Sequence, residues 1–361
     1  MAEQHSLHIP AHQNIYNGSC NRELRIEFSI PENGVNERTG LVIFVPGFGG
    51  DIDSNVYTKM RRQFADKYNL VTIQCDYFGS CYMQSTNKFS YKDPDLLNSI
   101  LTVEELEKIK INSSALSQII SNKNTVLPLT ADLDETIEHF NDMGYMQAID
   151  LICAIETIKI ILKDNNLSFN SKRIIGYGHS HGAYLLHLSN RLAPNLFSFI
   201  IDNSAWTEPG YLSGNRHLYN KLGKATLAIE FNYLAKDIIK HKNDLNLSTL
   251  YKNFNMRTQV LAFQGDEDNL INHNEKKKII ASLSNSDYIL VKKEDIDNIK
   301  YKSNNHGLNA DFFELFQYAI NFERSTRKSL ERESKYEIRL KNTFITVDYS
   351  HGLPIFNFDF R

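Results

Sequence analysis

The 361-residue sequence lacks most features that would place it in a specialised class. It has four cysteines, Cys20, Cys75, Cys81 and Cys153, whose positions show neither a pairing pattern nor the spacing of metal ligands. Reduced thiols are therefore expected, with no metal site. Forty Lys and Arg against 43 Asp and Glu leave a formal charge of −3, so no basic surface is on offer to a nucleic acid. The short basic run Lys276-Lys277-Lys278 reads as a solvated helix face. No segment approaches the ~18 consecutive apolar residues of a membrane-spanning helix. The opening MAEQHSLHIPAHQ has no positive flank and no apolar centre, so it does not read as a secretory signal. These absences point to a cytoplasmic chain without a transmembrane segment.

What is present is a 42% hydrophobic composition, enough for a sizeable core. GLVIFVPG (40–47), NLVTIQCD (69–76), RIIGYG (173–178), FSFIIDN (197–203) and TQVLAFQG (258–265) are continuous apolar runs, and YILVKK (288–293) is a weaker sixth. Runs of this kind belong to parallel strands covered on both faces. ELRIEFS (24–30) alternates instead, as a half-buried strand does. Helical spacing fills the gaps at 55–67 (Val56, Met60, Phe64, Ala65), 144–163, 274–283 and 311–322. The alternation predicts an α/β fold: a doubly wound, mostly parallel sheet spanning 1–332.

Two insertions interrupt it, 82–143 and 204–256, each far longer than the roughly 2–6 residues usual for such connections. The first is expected to hold a helix over 102–121 and a short strand at 125–130; the second, a helix over ATLAIEFNYLAKDII (225–239). Both leave the sheet at strand C-terminal ends, the position of a lid or specificity wall. The tail 333–361 reads as two strands joined around Ser350-His351-Gly352, packed on the core and sharing a small sheet with the N-terminal strand. A homodimer-forming edge is the rival reading of that tail.

The candidate chemistry centres on GHSHG (178–182), which follows one apolar run and opens a helical one. In that context G-x-S-x-G is a tight strand-to-helix turn that exposes a nucleophile, here Ser180. A serine hydroxyl needs a base, and the base an orienting carboxylate. QGDED (264–268) closes a later strand and offers Asp268 as the acid, with Asp266 next; Asp202 reads as a structural or pocket residue. His306, in the final loop before a helix, is the candidate base, ahead of His351 and His273. His179 is read as structural. His181 would give its backbone N–H to an oxyanion, and VPGFGGD (45–51) a second donor, Phe48 N–H first and Gly49 N–H next. That glycine cluster lacks the endings of a P-loop or dinucleotide motif, so no cofactor is implied. A metal held by His179, His181 and His187 is disfavoured, since the turn splays their rings. Tyr77, Phe78 and Trp206 are candidate pocket residues; packing in the core is the alternative.

VPGFGGD, DMGYMQAIDLI (142–152), GHSHGAYLLHLSNRLAP (178–194), IDNSAW (201–206) and the His-Gly pair at 306–307 together resemble the α/β-hydrolase superfamily. Within it the chain is similar to an uncharacterised Campylobacter-type hydrolase family found near surface-glycan and flagellar-modification genes. The superfamily resemblance implies Ser180 as nucleophile, Asp268 as acid and His306 as base. The nearer family usually has serine or glycine near the turn where this chain has Gly178 and His179. The expected activity is hydrolysis of a carboxylic ester through an acyl-serine, on an acylated glycan or small metabolite. An acyltransferase acting on a glycan sugar and a non-catalytic glycan-biosynthesis scaffold are the alternatives.

Overall fold

The computed structural model describes residues 1–86, 88–93, 95–324 and 333–361. Its central sheet has eight strands: β1 (Glu3–Pro10), β2 (Glu23–Ile30), β3 (Gly40–Val45), β4 (Leu70–Cys75), β5 (Ile174–His179), β6 (Phe199–Asn203), β7 (Gln259–Gly265) and β8 (Ser286–Val291). They lie side by side in the order β1-β2-β4-β3-β5-β6-β7-β8. β1 pairs antiparallel with β2, and β2 with β4; every later pairing is parallel. The apolar runs explain this arrangement, because β3, β4, β6 and β7 are buried along their whole length. β1 escaped the sequence reading because EQHSLHIP is polar at alternate positions and lies at the sheet edge with most residues exposed.

The connecting helices are α1 (Asn55–Tyr68), α2 (Tyr145–Asp164), α3 (His181–Leu192), α4 (His273–Ala281) and α5 (Phe312–Ile320). Val42 and Phe44 of β3 join a cluster with Met60 and Phe64 of α1 and Leu315 and Phe316 of α5. Successive strand residues face opposite sides, so the equally buried Leu41 and Ile43 face the other layer. In α1 the buried face is Tyr57, Met60, Arg61, Phe64 and Ala65. Val56, expected on that face, is 48% exposed.

The chain divides into two compact units. One comprises residues 1–80, 142–209 and 239–361 and contains the central sheet; the other comprises 81–141 and 210–238. The second unit has a four-stranded sheet in the order Lys88–Tyr91, Val126–Asp132, Ala225–Phe231, Arg216–Leu222. The helix expected over 102–121 is two, Val103–Ile111 and Ala115–Ser121, parted where the Asn112 side chain accepts from Ser114 N. The helix expected over 225–239 is corrected more sharply. Ala225–Phe231 is a strand, and only Ala235–Ile238 is helical. Gly223 (φ +60) turns the chain into a hairpin, and Ala225–Phe231 then gains a partner on each side. Pairing on both edges overrides its helical spacing.

The C-terminal segment is also corrected, to three antiparallel strands, Lys335–Arg339, Thr343–Asp348 and Ile355–Phe360. An extra turn forms at 340–342, where the buried Asp244 carboxylate accepts from Asn342 N at 2.9 Å and Thr343 Oγ1 at 2.8 Å. This sheet is separate from the N-terminal strands, which extend the central sheet instead. It packs through Phe358 against Tyr145, ring centroids 4.9 Å apart, and Phe356 N donates to His12 Nε2 at 2.9 Å.

Candidate active site

β5 ends and α3 begins at Ser180, which adopts φ 53° and ψ −119°. That conformation is costly for a residue with a side chain, and its neighbours hold it. A Cβ on Gly182 would lie 2.2 Å from Val45 O, and one on Gly178 2.5 Å from Ala183 N, so only glycine lets the turn close. Ser180 N donates to Asn203 O at 2.8 Å, and Tyr184 N bonds back to Ser180 O at 3.1 Å.

Ser180 Oγ lies 2.7 Å from His306 Nε2, and His306 Nδ1 lies 2.7 Å from Asp268 Oδ2. The Asp268 side chain has no solvent exposure. Burial pushes its pKa up, but the hydrogen bonds from His306 and from the amides of Leu270 and Ile271 outweigh that and hold it below the usual range. Those amides donate to Oδ1 at 2.8 and 3.0 Å, and Gln264 Nε2 to Oδ2 at 2.6 Å. An ionised Asp268 can only accept, so Nδ1 carries the proton and Nε2 is left to accept from the serine hydroxyl. The three residues come from the ends of β5 and β7 and from the loop after β8. Gly265 brings that loop in, since a Cβ there would meet Asn304 O at 2.0 Å. Asp266, the alternative acid, instead accepts from Asn304 Nδ2 at 2.8 Å and braces the same loop.

His179 points away from this line. Its Nδ1 lies 3.1 Å from Asn203 Nδ2, and its ring fills the space that a Cβ on Gly307 would need. Burial, with the nearby His306, lowers its pKa to about 4, so it stays neutral. His181 is fully buried, and burial lowers its pKa to about 3. Its ring lies 5.4 Å from Phe48, 4.8 Å from Trp206 and 6.5 Å from Tyr77 between centroids. Phe48 in turn stacks on Trp206 at 5.3 Å. Gly49, with φ +82°, turns the loop that carries Phe48. Phe78 is 1% exposed, with the Arg22 guanidinium 5.3 Å from its ring centroid and its backbone held by Asp150 and Gln147.

One group was misread from the sequence. Lys276 is not solvated but fully buried, with Nζ 2.8 Å from Asp202 Oδ2 and 2.9 Å from Ala205 O. The signal was the spacing to Ile280, which puts both residues on the buried face of α4. Asp202 also accepts from Ala205 N at 2.7 Å and lies 2.9 Å from His187 Nε2. Burial pushes the Asp202 pKa up, yet the Lys276 charge and the His187 bond outweigh it, so the carboxylate stays ionised. Among the described residues no group of three or more His, Cys, Asp or Glu side chains could hold a metal, and no helix is long and apolar enough to cross a membrane.

Several solved structures share this architecture. An acylaminoacyl peptidase in complex with Z-Gly-Gly-Phe-chloromethyl ketone is 13% identical with a TM-score of 0.51, over 92% of this chain and 43% of that one. The Pyrococcus horikoshii acylaminoacyl peptidase is 12% identical with a TM-score of 0.50 over the same shares. This chain therefore spans less than half the length of those peptidases. Est1E from Butyrivibrio proteoclasticus, bound to ferulic acid, is 14% identical with a TM-score of 0.45, over 86% of this chain and 96% of that one. Comparison with curated proteins finds no match. The fold is that of the α/β hydrolases. Residues 7–215 match the family described as protein of unknown function (DUF2920), and the chain belongs to that family.

Proposed function

We propose that the protein is a serine hydrolase that cleaves a carboxylic ester, with Ser180, His306 and Asp268 as its catalytic residues. The observation that carries this reading is the unbroken relay from hydroxyl to imidazole to buried carboxylate, 2.7 Å at each link. Ser180 Oγ attacks the acyl carbonyl as its proton passes to His306 Nε2. Asp268 stabilises the resulting imidazolium through Nδ1. The N–H groups of His181 and Phe48, with Gly49 as the alternative to Phe48, receive the oxyanion. The proton on Nε2 then goes to the leaving alkoxide, freeing an alcohol and leaving an acyl-serine. Water, deprotonated by the same nitrogen, attacks the acyl-serine; the bond from the acyl carbon to Ser180 Oγ then breaks, the proton on Nε2 returns to Oγ, and the acid is released.

Aromatic side chains around His181, the residue after the nucleophile, namely Phe48 and the buried Tyr77 and Trp206, support an apolar acyl group or the face of a sugar as the bound moiety. An acylated glycan or small metabolite fits that description. A sugar hydroxyl in place of water would turn the same intermediate into an acyl transfer. The relay counts against a non-catalytic scaffold, because it keeps Ser180 in a costly left-handed φ of 53° with its hydroxyl on His306. A fluorophosphonate probe should label the wild-type protein at one serine and leave Ser180→Ala unlabelled; labelling that survives the substitution overturns the proposal. Turnover of short p-nitrophenyl esters with and without a sugar acceptor separates hydrolysis from transfer.

A further inference from the structure

We infer that Lys276 is a positioning residue: with Asp202 it clamps the four-residue segment 202–205, the piece of chain to which both the Ser180 turn and the His306 loop are tied. The inference rests on the hydrolase reading and concerns a side chain that touches none of the reacting groups.

The segment leaves the end of β6 and meets every arm of the site. Asn203 O accepts from Ser180 N at 2.8 Å. The Asn203 amide reaches His179 Nδ1 at 3.1 Å and Gly307 O at 3.4 Å. Ser204 Oγ accepts from Gly307 N at 3.1 Å, one residue beyond the imidazole. Ser204 N donates to Phe263 O at 2.9 Å, on the strand that leads to Asp268. A displacement of this short stretch would therefore move Ser180 and His306 relative to each other.

Left alone, the stretch would not hold its shape, because Ser204 sits at φ 58° in the left-handed region. The restraint comes from outside it. Lys276 Nζ binds the Asp202 carboxylate at 2.8 Å and the Ala205 carbonyl at 2.9 Å, one at each end of the segment. Asp202 closes the loop by accepting from Ala205 N at 2.7 Å. Both charged side chains have zero exposure, so water does not compete for either partner. The lysine belongs to α4, which begins just after the Asp268 turn, and the same carboxylate is gripped by His187 of α3, the helix that Ser180 opens. A buried ion pair is weak evidence for stability, since apolar side chains of the same volume often serve as well. No apolar side chain, however, could bridge a carboxylate and a carbonyl three residues apart.

The test compares wild type, Lys276→Met and the double variant Asp202→Asn with Lys276→Met in the full-length protein. It measures the rate of fluorophosphonate labelling at Ser180, kcat and KM for a p-nitrophenyl ester, and thermal unfolding. Labelling of the wild type checks the hydrolase reading itself; if it is absent, that reading falls and this inference with it. Given wild-type labelling, the variants judge the inference alone. Both should lose about tenfold or more in labelling rate and kcat with KM within about twofold, as expected for a small displacement of reacting groups. The double variant should unfold at a higher temperature than the single one without regaining kcat. A double variant with wild-type kcat, a loss confined to KM, or a double variant that does not fold at all overturns the inference, the last because the pair would then serve the fold alone.

Discussion

In the unit that carries Ser180, polar groups go under with the sheet. Asp142, Asp202, Asp244, His187 and Lys276 all have zero exposure, and hydrogen bonds or ion pairs satisfy the carboxylates and the ammonium. In the unit formed by 81–141 and 210–238, a small cluster of Leu101, Ile120, Leu127 and Ala225 is flanked by half-buried leucines such as Leu106, Leu116, Leu222 and Leu227. Of its ion pairs, Lys88–Asp134 and Lys92–Glu230 each keep at least one partner substantially exposed, and Lys123–Glu105 keeps both about a quarter exposed. One unit is thus organised by directional bonds in a dry interior, where geometry is held closely. The other is held by a thin apolar layer that tolerates change. Substitutions should separate the two.

The largest effect belongs to Ser180. Ser180→Ala should cut ester hydrolysis on the order of 10⁴-fold or more while circular dichroism stays native, because the remaining relay has no nucleophile. Residual turnover within tenfold of wild type would place the chemistry elsewhere. Next comes the ion pair beneath the site. Lys276→Met leaves Asp202 charged and buried without its main partner, and should cost about 3–5 kcal/mol in chemical denaturation. Lys92→Met, in the second unit, removes a 40% exposed ammonium and should cost about 1 kcal/mol or less. Equal costs would erase the distinction.

The same contrast governs what could be read from the sequence. β3 to β7 are legible because burial on both faces demands unbroken apolar runs, and Ser180, Asp268 and His306 stand at the ends of such runs or in the loop that follows one. The second unit is opaque because its sheet depends on partners distant in sequence. ATLAIEF pairs with 126–131 and with 216–222, and nothing within its own seven residues announces either. β1 is hidden by an edge strand's exposed polar positions. Lys276 is hidden by its neighbours, since three consecutive lysines look solvated until a helix turns one of them inward.

A third, pH-dependent difference follows from Asp142. Its carboxylate accepts from Met146 N at 2.7 Å and Tyr16 Oη at 3.0 Å, yet burial dominates and raises its pKa from 3.8 to about 6. A raised folded-state pKa means that protons favour the folded form. The group's contribution is complete below pH 3.8 and is lost as pH rises through about 6. Asp142→Asn has no such loss. Relative to wild type it should gain on the order of 2–3 kcal/mol between pH 4 and pH 8, measured by urea unfolding. A difference that stays flat across that range would mean the carboxylate is not carrying an uncompensated charge in the interior.

The last comparison sets apolar packing in one unit against that in the other, and its second member is expected to be small. Leu261 lies in β7 with no exposure, so Leu261→Ala removes a packed side chain and leaves a void, at a cost of about 3 kcal/mol or more. Leu222 is half-buried and borders a cleft of about 210 Å³ together with Phe89, Leu116, Leu129 and Leu227. Space already lies beside it, so truncation adds little new cavity, and the cost should be only the transfer of a partly wetted side chain, about 1 kcal/mol or less. The reverse substitution sharpens the point. Leu222→Phe can extend into the cleft and should be tolerated, whereas Leu261→Phe must displace neighbours that have nowhere to go. Equal penalties at the two positions would show that the second unit is packed as closely as the first, and the contrast would fail at its weakest member.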